Sequence, residues 1–243
     1  MDIIKNYYIN FDKKIRKFKD IRFIIFHYTG MNKENDAIKR LTTEKSKVSS
    51  HYFIKNNGEV ITLVPELYIS WHAGISSWQN YKSINKHSIG IEISNPGHDN
   101  KYKKFSKKQI YSVLKLSKYL IKKYKIRIKF ILGHSDIAPL RKKDPGEKFP
   151  WKYLSKSKVG LWHDLNEKKL FKSREIKVDK FDEINFLKNL YKIGYSKVLN
   201  KDKKKNIKLL TKAFQRRFRQ DLVNGIIDEE CLLISKNLTK NPK

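Results

Sequence analysis

Two short apolar runs constrain this chain more than any other feature, because each leads into a histidine. Residues 21–26 read Ile-Arg-Phe-Ile-Ile-Phe and are followed by His27, while the largely apolar residues 128–132 are followed by Gly133 and His134. Runs of this length and apolarity read as strands buried on both faces. A strand end holds its side chain rigidly, and the loop after it is free to fold back. Asp144 lies in such a loop, ten residues after His134 and directly before Pro145-Gly146. Two imidazoles and one carboxylate brought together with an open fourth position form the ligand set of a hydrolytic zinc site. The competing reading is structural: a lone histidine at a strand end is commonly a core residue satisfied by backbone groups, and an Asp before Pro-Gly is a good turn former.

A third strand is expected over residues 88–94, ended by Asn95-Pro96-Gly97. Strict alternation puts Glu92 on one face with Gly90 and Ser94, opposite Ile91 and Ile93. A carboxylate on an apolar central strand is costly to bury unless it is paired or functional. Glu92 is therefore either half of a structural ion pair or a general acid and base.

The motifs occur in order: His27-Tyr-Thr, Ser49-Ser-His-Tyr, Trp71-His-Ala-Gly, Ser88-Ile-Gly-Ile-Glu-Ile, His134-Ser-Asp-Ile-Ala-Pro and Arg141-Lys-Lys-Asp-Pro-Gly. Together they resemble the bacterial zinc-dependent N-acetylmuramoyl-L-alanine amidases, in the superfamily that includes the peptidoglycan-recognition proteins. The resemblance covers residues 21–162. It implies one zinc ion per chain held by His27, His134 and Asp144, and hydrolysis of the amide between N-acetylmuramic acid and the L-alanine of peptidoglycan stem peptides. It matches Glu92 to the catalytic glutamate, and Lys142 to a basic residue that stabilises the oxyanion formed at the lactyl carbonyl. Trp71, His72 and Asn85 are candidates for the substrate groove, since aromatic faces suit sugar rings and amides suit peptide backbone; packing is the alternative for each. His51 is expected to pack beneath the site and Trp151 to belong to the core.

The remaining pattern fits an α/β fold, a central mixed β-sheet flanked by helices, which is also what the resemblance implies. Asn57-Gly58 between two apolar stretches marks a hairpin. Ser106 and Gln109 form a capping box at the head of the clearest helix, which covers one face of the sheet. Residues 1–20 are expected to be an irregular arm, 36–41 a short helix, and 68–73 a further extended piece. The catalytic domain is placed at 1–162 and a linker at 163–180, where periodicity fades and charge rises.

Residues 181–243 carry three helical patterns, the first stopped by Gly194. Their phrasing, Leu190 to Tyr195 followed by Ala213-Phe-Gln-Arg-Arg-Phe, resembles the small three-helix peptidoglycan-binding module found at the carboxy terminus of the two-domain branch of the amidase family. An interaction bundle without a defined ligand is the alternative.

Composition bounds the partners. The formal net charge is +31, from 55 basic and 24 acidic residues. Phosphate neutralisation would make that a nucleic-acid binder, yet the basic residues, mostly lysines, are spread through every segment. No nucleic-acid partner is expected, and peptidoglycan or 1,6-anhydro-muropeptides, with their free carboxylates, are the implied ligands. A single cysteine, Cys231, excludes an intrachain disulfide and a cysteine-rich metal cluster. The first twenty residues carry scattered lysines and no apolar stretch of a secretory signal, and no run is long enough for a membrane span. The expectation is a cytoplasmic protein, with the periplasm or cell envelope as the alternative. A peptidoglycan-recognition protein that binds without cutting is the rival function.

Overall fold

The structure, a computed structural model, describes residues 3–5, 8–198 and 202–240. Its centre is a six-stranded mixed sheet. In chain order the strands are β1 (Ile3–Lys5), β2 (Phe23–Tyr28), β3 (Tyr52–Ile54), β4 (Val60–Thr62), β7 (Ser88–Ile93) and β8 (Ile131–Gly133), and a small separate hairpin is made by β5 (Ser77–Trp78) and β6 (Tyr81–Lys82). The spatial order is β1-β4-β3-β7-β2-β8. Within this six-stranded sheet β3 and β4 pair antiparallel, across the Asn57-Gly58 turn, and the other described neighbours run parallel.

The middle strands carry the apolar runs because both their faces are covered. Phe23, Ile24, Ile25 and Phe26 of β2 and Ile89, Ile91 and Ile93 of β7 are fully buried. On one side helix α1 (Glu34–Thr42) contributes Ala37 and Leu41 to a small cluster with Phe53, Ile61, Leu63 and Val64. On the other side α2 (Lys107–Tyr124) lays Ile110, Val113, Leu116 and Leu120 into the main core. The capping box at its head is formed: the Ser106 hydroxyl accepts from the Gln109 amide, and the Gln109 side chain accepts from the Ser106 amide.

The short helix α3 (His134–Ile137) follows β8 without a break, and α4 (Trp151–Ser155) opens on the buried Trp151. The stretch 163–180 carries α5 (Glu167–Lys172), whose Leu170 is buried, and an isolated bridge between Lys177 and Asp228. Helices α6 (Lys180–Ile193), α7 (Lys203–Phe218) and α8 (Glu229–Lys240) complete the chain. Their Phe186, Leu190, Leu210, Phe214, Cys231 and Leu232 belong to the same apolar core as β2 and β8. Gly194 ends α6 with φ +142, and a Cβ there would lie 2.4 Å from the Trp78 indole, so this stop is fixed by its conformation and by the ring packed over it.

Three local expectations are corrected. Part of the arm expected to be irregular is the edge strand β1, and its Arg16 is buried among carbonyl oxygens; three residues are too few to show alternation. Residues 128–130 form a 3-10 turn, and the strand is only 131–133, because a short apolar run does not declare its backbone conformation. Residues 68–73 contain only a single bridge, from Ile69 to Asp12.

Candidate metal centre

Sheet register builds the site. In the parallel pair β2–β7, His27 lies opposite Glu92, and in the pair β2–β8, Phe26 lies opposite Gly133. The residue after Gly133 is His134, so two neighbouring strands deliver their histidines to the same edge. The returning loop is tied down by its own backbone, the Ser135 amide donating to the Asp144 carbonyl at 2.8 Å. Three ligand atoms result: His27 Nδ1 and His134 Nδ1 are 3.0 Å apart, and Asp144 Oδ2 lies 3.1 Å from the first and 3.0 Å from the second. All three residues are buried.

These residues fit a metal ion. His134 Nε2 lies 3.1 Å from the Ala73 carbonyl oxygen, which accepts from the ring when the proton sits on Nε2, the tautomer that leaves a lone pair on Nδ1. That lone pair points at a second imidazole nitrogen and at a carboxylate, all withdrawn from water. Such a convergence of electron-rich atoms is stabilised by a cation. Burial and the neighbouring His134 push the His27 pKa down to about 4, keeping the imidazole neutral as a ligand must be. For Asp144 burial acts in the opposite sense, but the two imidazoles against it prevail and hold it well below the usual carboxylate range.

A cavity of about 330 Å3 opens over the three ligands, lined also by Glu92, Lys142, Tyr28, Arg40 and Arg141. Burial, reinforced by the Asp144 charge, raises the Glu92 pKa to about 8, while the charges of Lys142 and Arg40 pull against that rise. An acid and base poised near neutrality thus sits beside the ligand set.

The structure brings His27, His134, Asp144, Glu92 and Lys142 together around one cavity. Of the three residues assigned to the substrate groove, only His72 lines it. His72 stands behind His27, its Nδ1 2.9 Å from His27 Nε2. Asn85 accepts from the backbone amides of His72 at 3.2 Å and Ala73 at 2.7 Å, fixing the segment that carries His72. The Trp71 amide donates to Ser49 Oγ, and Trp71 is not among the cavity-lining residues. His51 packs beneath, accepting from the Gly90 amide at 3.0 Å.

Arg141 was missed by sequence reasoning. Its guanidinium donates to the carbonyls of Ala73 and Ile75, joining the Asp144 loop to the His72 segment. In sequence it opens the Arg141-Lys-Lys-Asp-Pro-Gly motif, which assigns it no contact. Arg40 reaches the cavity from α1 and carries no motif signal.

The pattern that defines the N-acetylmuramoyl-L-alanine amidase family matches residues 17–147. The chain is 33% identical over 230 residues to N-acetylmuramoyl-L-alanine amidase AmiD of Escherichia coli, covering 90% of this chain and 82% of that protein. It is 32% identical over 168 residues to the 1,6-anhydro-N-acetylmuramyl-L-alanine amidase AmpD of Haemophilus influenzae, covering 61% of this chain and 89% of that one. The structure superposes on E. coli AmiD in complex with the substrate anhydro-N-acetylmuramic acid-L-Ala-D-gamma-Glu-L-Lys with a TM-score of 0.81, over 91% of this chain and 89% of that chain. It superposes on AmpDh3 of Pseudomonas aeruginosa, in complex with anhydromuramic pentapeptide, with a TM-score of 0.79 at 28% identity, over 96% of each chain.

Proposed function

The chain belongs to the N-acetylmuramoyl-L-alanine amidase family, and from that premise we propose that it hydrolyses the amide between N-acetylmuramic acid, or its 1,6-anhydro form, and the L-alanine of a peptidoglycan stem peptide, using one zinc ion held by His27, His134 and Asp144. The observation that carries this reading is the convergence of three buried ligand atoms within about 3 Å of one another, beside a glutamate tuned toward neutral pH.

Bound at these three residues, zinc acidifies water and polarises a carbonyl oxygen. Glu92 then serves as the proton carrier. Its carboxylate takes a proton from the attacking water and returns that proton to the departing L-alanine amine. Lys142, on the cavity wall, places its ammonium where negative charge develops on the lactyl oxygen. A fixed cation in a partly dry site contributes more there than it would in water. Arg141 supports the geometry by locking the Asp144 loop to the carbonyls of Ala73 and Ile75.

Relatives whose names and structures specify anhydro-muropeptides support that substrate form. Helices α6 to α8 are consistent with a module that contacts polymeric wall. Mass spectrometry of products from intact sacculi and, separately, from 1,6-anhydro-muropeptides tests the reading. Free stem peptides released with zinc and absent with a chelator are the expected result. Zinc uptake without peptide release from either substrate would leave a recognition protein that binds and does not cut.

A further inference from the structure

The ring behind His27 controls more than packing. His27 Nε2 lies 2.9 Å from His72 Nδ1, His72 Nε2 lies 3.0 Å from Ser88 Oγ, and the Ser88 hydroxyl donates to the Ile84 carbonyl at 2.7 Å. All three side chains are buried. The last contact fixes the direction of the whole chain. A serine hydroxyl has one proton, and only that proton makes a 2.7 Å approach between two oxygens favourable. It is therefore committed to Ile84, and Ser88 Oγ is left as an acceptor. His72 must present its proton at Nε2, which leaves a lone pair on Nδ1. His27 must in turn donate from Nε2, and its bare nitrogen is Nδ1, the atom that meets His134 and Asp144.

We propose that His72 and Ser88 are positioning residues that fix the tautomer of His27, so that Nδ1 is presented to the metal as a lone pair. The proposal rests on the metal-site reading above. The reverse direction would place a proton on His27 Nδ1, where a cation has to bind. Fold details agree with a built relay. Gly90 leaves the face of β7 open, and a Cβ at that position would lie 2.4 Å from His72 Cγ, so the glycine in this strand makes room for the ring. Asn85 holds the backbone of His72 and Ala73, and the Ala73 carbonyl fixes the same tautomer in His134 by a shorter route. The adjacent residues His72 and Ala73 thus set both imidazoles. Partners of this kind orient ligands and typically contribute about 10- to 100-fold in metal affinity.

Long-range proton–nitrogen NMR on the zinc-loaded chain labelled at histidine reads the tautomers directly. His27 and His72 are both expected as Nε2–H forms. Zinc affinity, measured by competition with a coloured chelator, is expected to fall about 10- to 100-fold in His72→Leu. It should recover most of that loss in His72→Asn, whose amide oxygen accepts at the same place. Ser88→Ala, a small change in a folded chain, is expected to weaken zinc binding and give a mixture of His72 tautomers. A His72 protonated at Nδ1 in the wild type, or equal zinc affinity in the wild type, His72→Leu and Ser88→Ala, overturns the proposal. A wild-type chain that takes up no zinc overturns the metal reading itself, and the relay loses its purpose with it.

Discussion

Arg217, on the second of the three carboxy-terminal helices, places Nη1 2.5 Å from Oδ2 of Asp136, two residues after His134, and both side chains are buried. The same carboxylate accepts from the Gly133 amide at 2.8 Å and from the Tyr195 hydroxyl at 2.7 Å. Arg217 also donates to the Ile131 carbonyl at 3.0 Å, and Gln220 donates to the carbonyls of Glu147 and Phe149. The carboxy-terminal segment therefore grips the strand and loop that deliver His134 and Asp144.

Arg217→Met leaves the Asp136 charge buried without its cation. Removing one partner of a buried pair costs about 3–5 kcal/mol. Denaturant unfolding should register a loss of that size, together with weaker zinc binding, whereas an exposed pair such as Lys143–Asp99 should be removable with little effect.

Glu92→Gln keeps the shape of the side chain and removes its ability to carry a proton. Peptide release should fall by about 100- to 10,000-fold while zinc is retained, which a chelator-competition titration checks.

The same substitution has a signed effect on stability. In the metal-free chain the folded Glu92 pKa is raised, by burial first and by Asp144 second, from the ordinary 4.5 to about 8. Between those values the folded state holds a proton that the unfolded state has lost, so this residue makes stability fall as pH rises through that window. Glu92→Gln should melt above the unsubstituted metal-free chain at pH 8, with the gap closing below the ordinary carboxylate range. Melting curves in chelator at both pH values check it.

On the proposed mechanism, Lys142→Met removes the cation that meets the developing oxyanion. A drop of about 100- to 1,000-fold in kcat is expected with zinc affinity little changed, and Lys142→Arg should keep part of the rate. Steady-state kinetics beside a zinc titration separate this role from metal binding.

Much of the site was legible in the sequence because its residues sit where local pattern is strongest. His27 and His134 end apolar runs, Asp144 precedes Pro-Gly, and Glu92 interrupts an apolar strand. The antiparallel hairpin and the Ser106–Gln109 cap were readable for the same reason, since each is decided within a few residues. What stayed hidden depends on contacts between distant segments. The contacts of His72 with His27 and Ser88 were not visible in its motif, and Gly90 is explained only once the His72 ring is seen to occupy the space of its missing side chain. Arg217 and Asp136 are 81 residues apart, and no spacing rule pairs them. The edge strand β1 was lost in a polar arm because its partner, β4, lies far along the chain.

Titrating the metal-free chain with zinc while following stem-peptide release from a 1,6-anhydro-muropeptide tests the central claim most directly. One site built from His27, His134 and Asp144 predicts activity that rises from near zero and saturates at one equivalent of zinc per chain. Full activity in the metal-free chain, or activity that needs several equivalents, would contradict it.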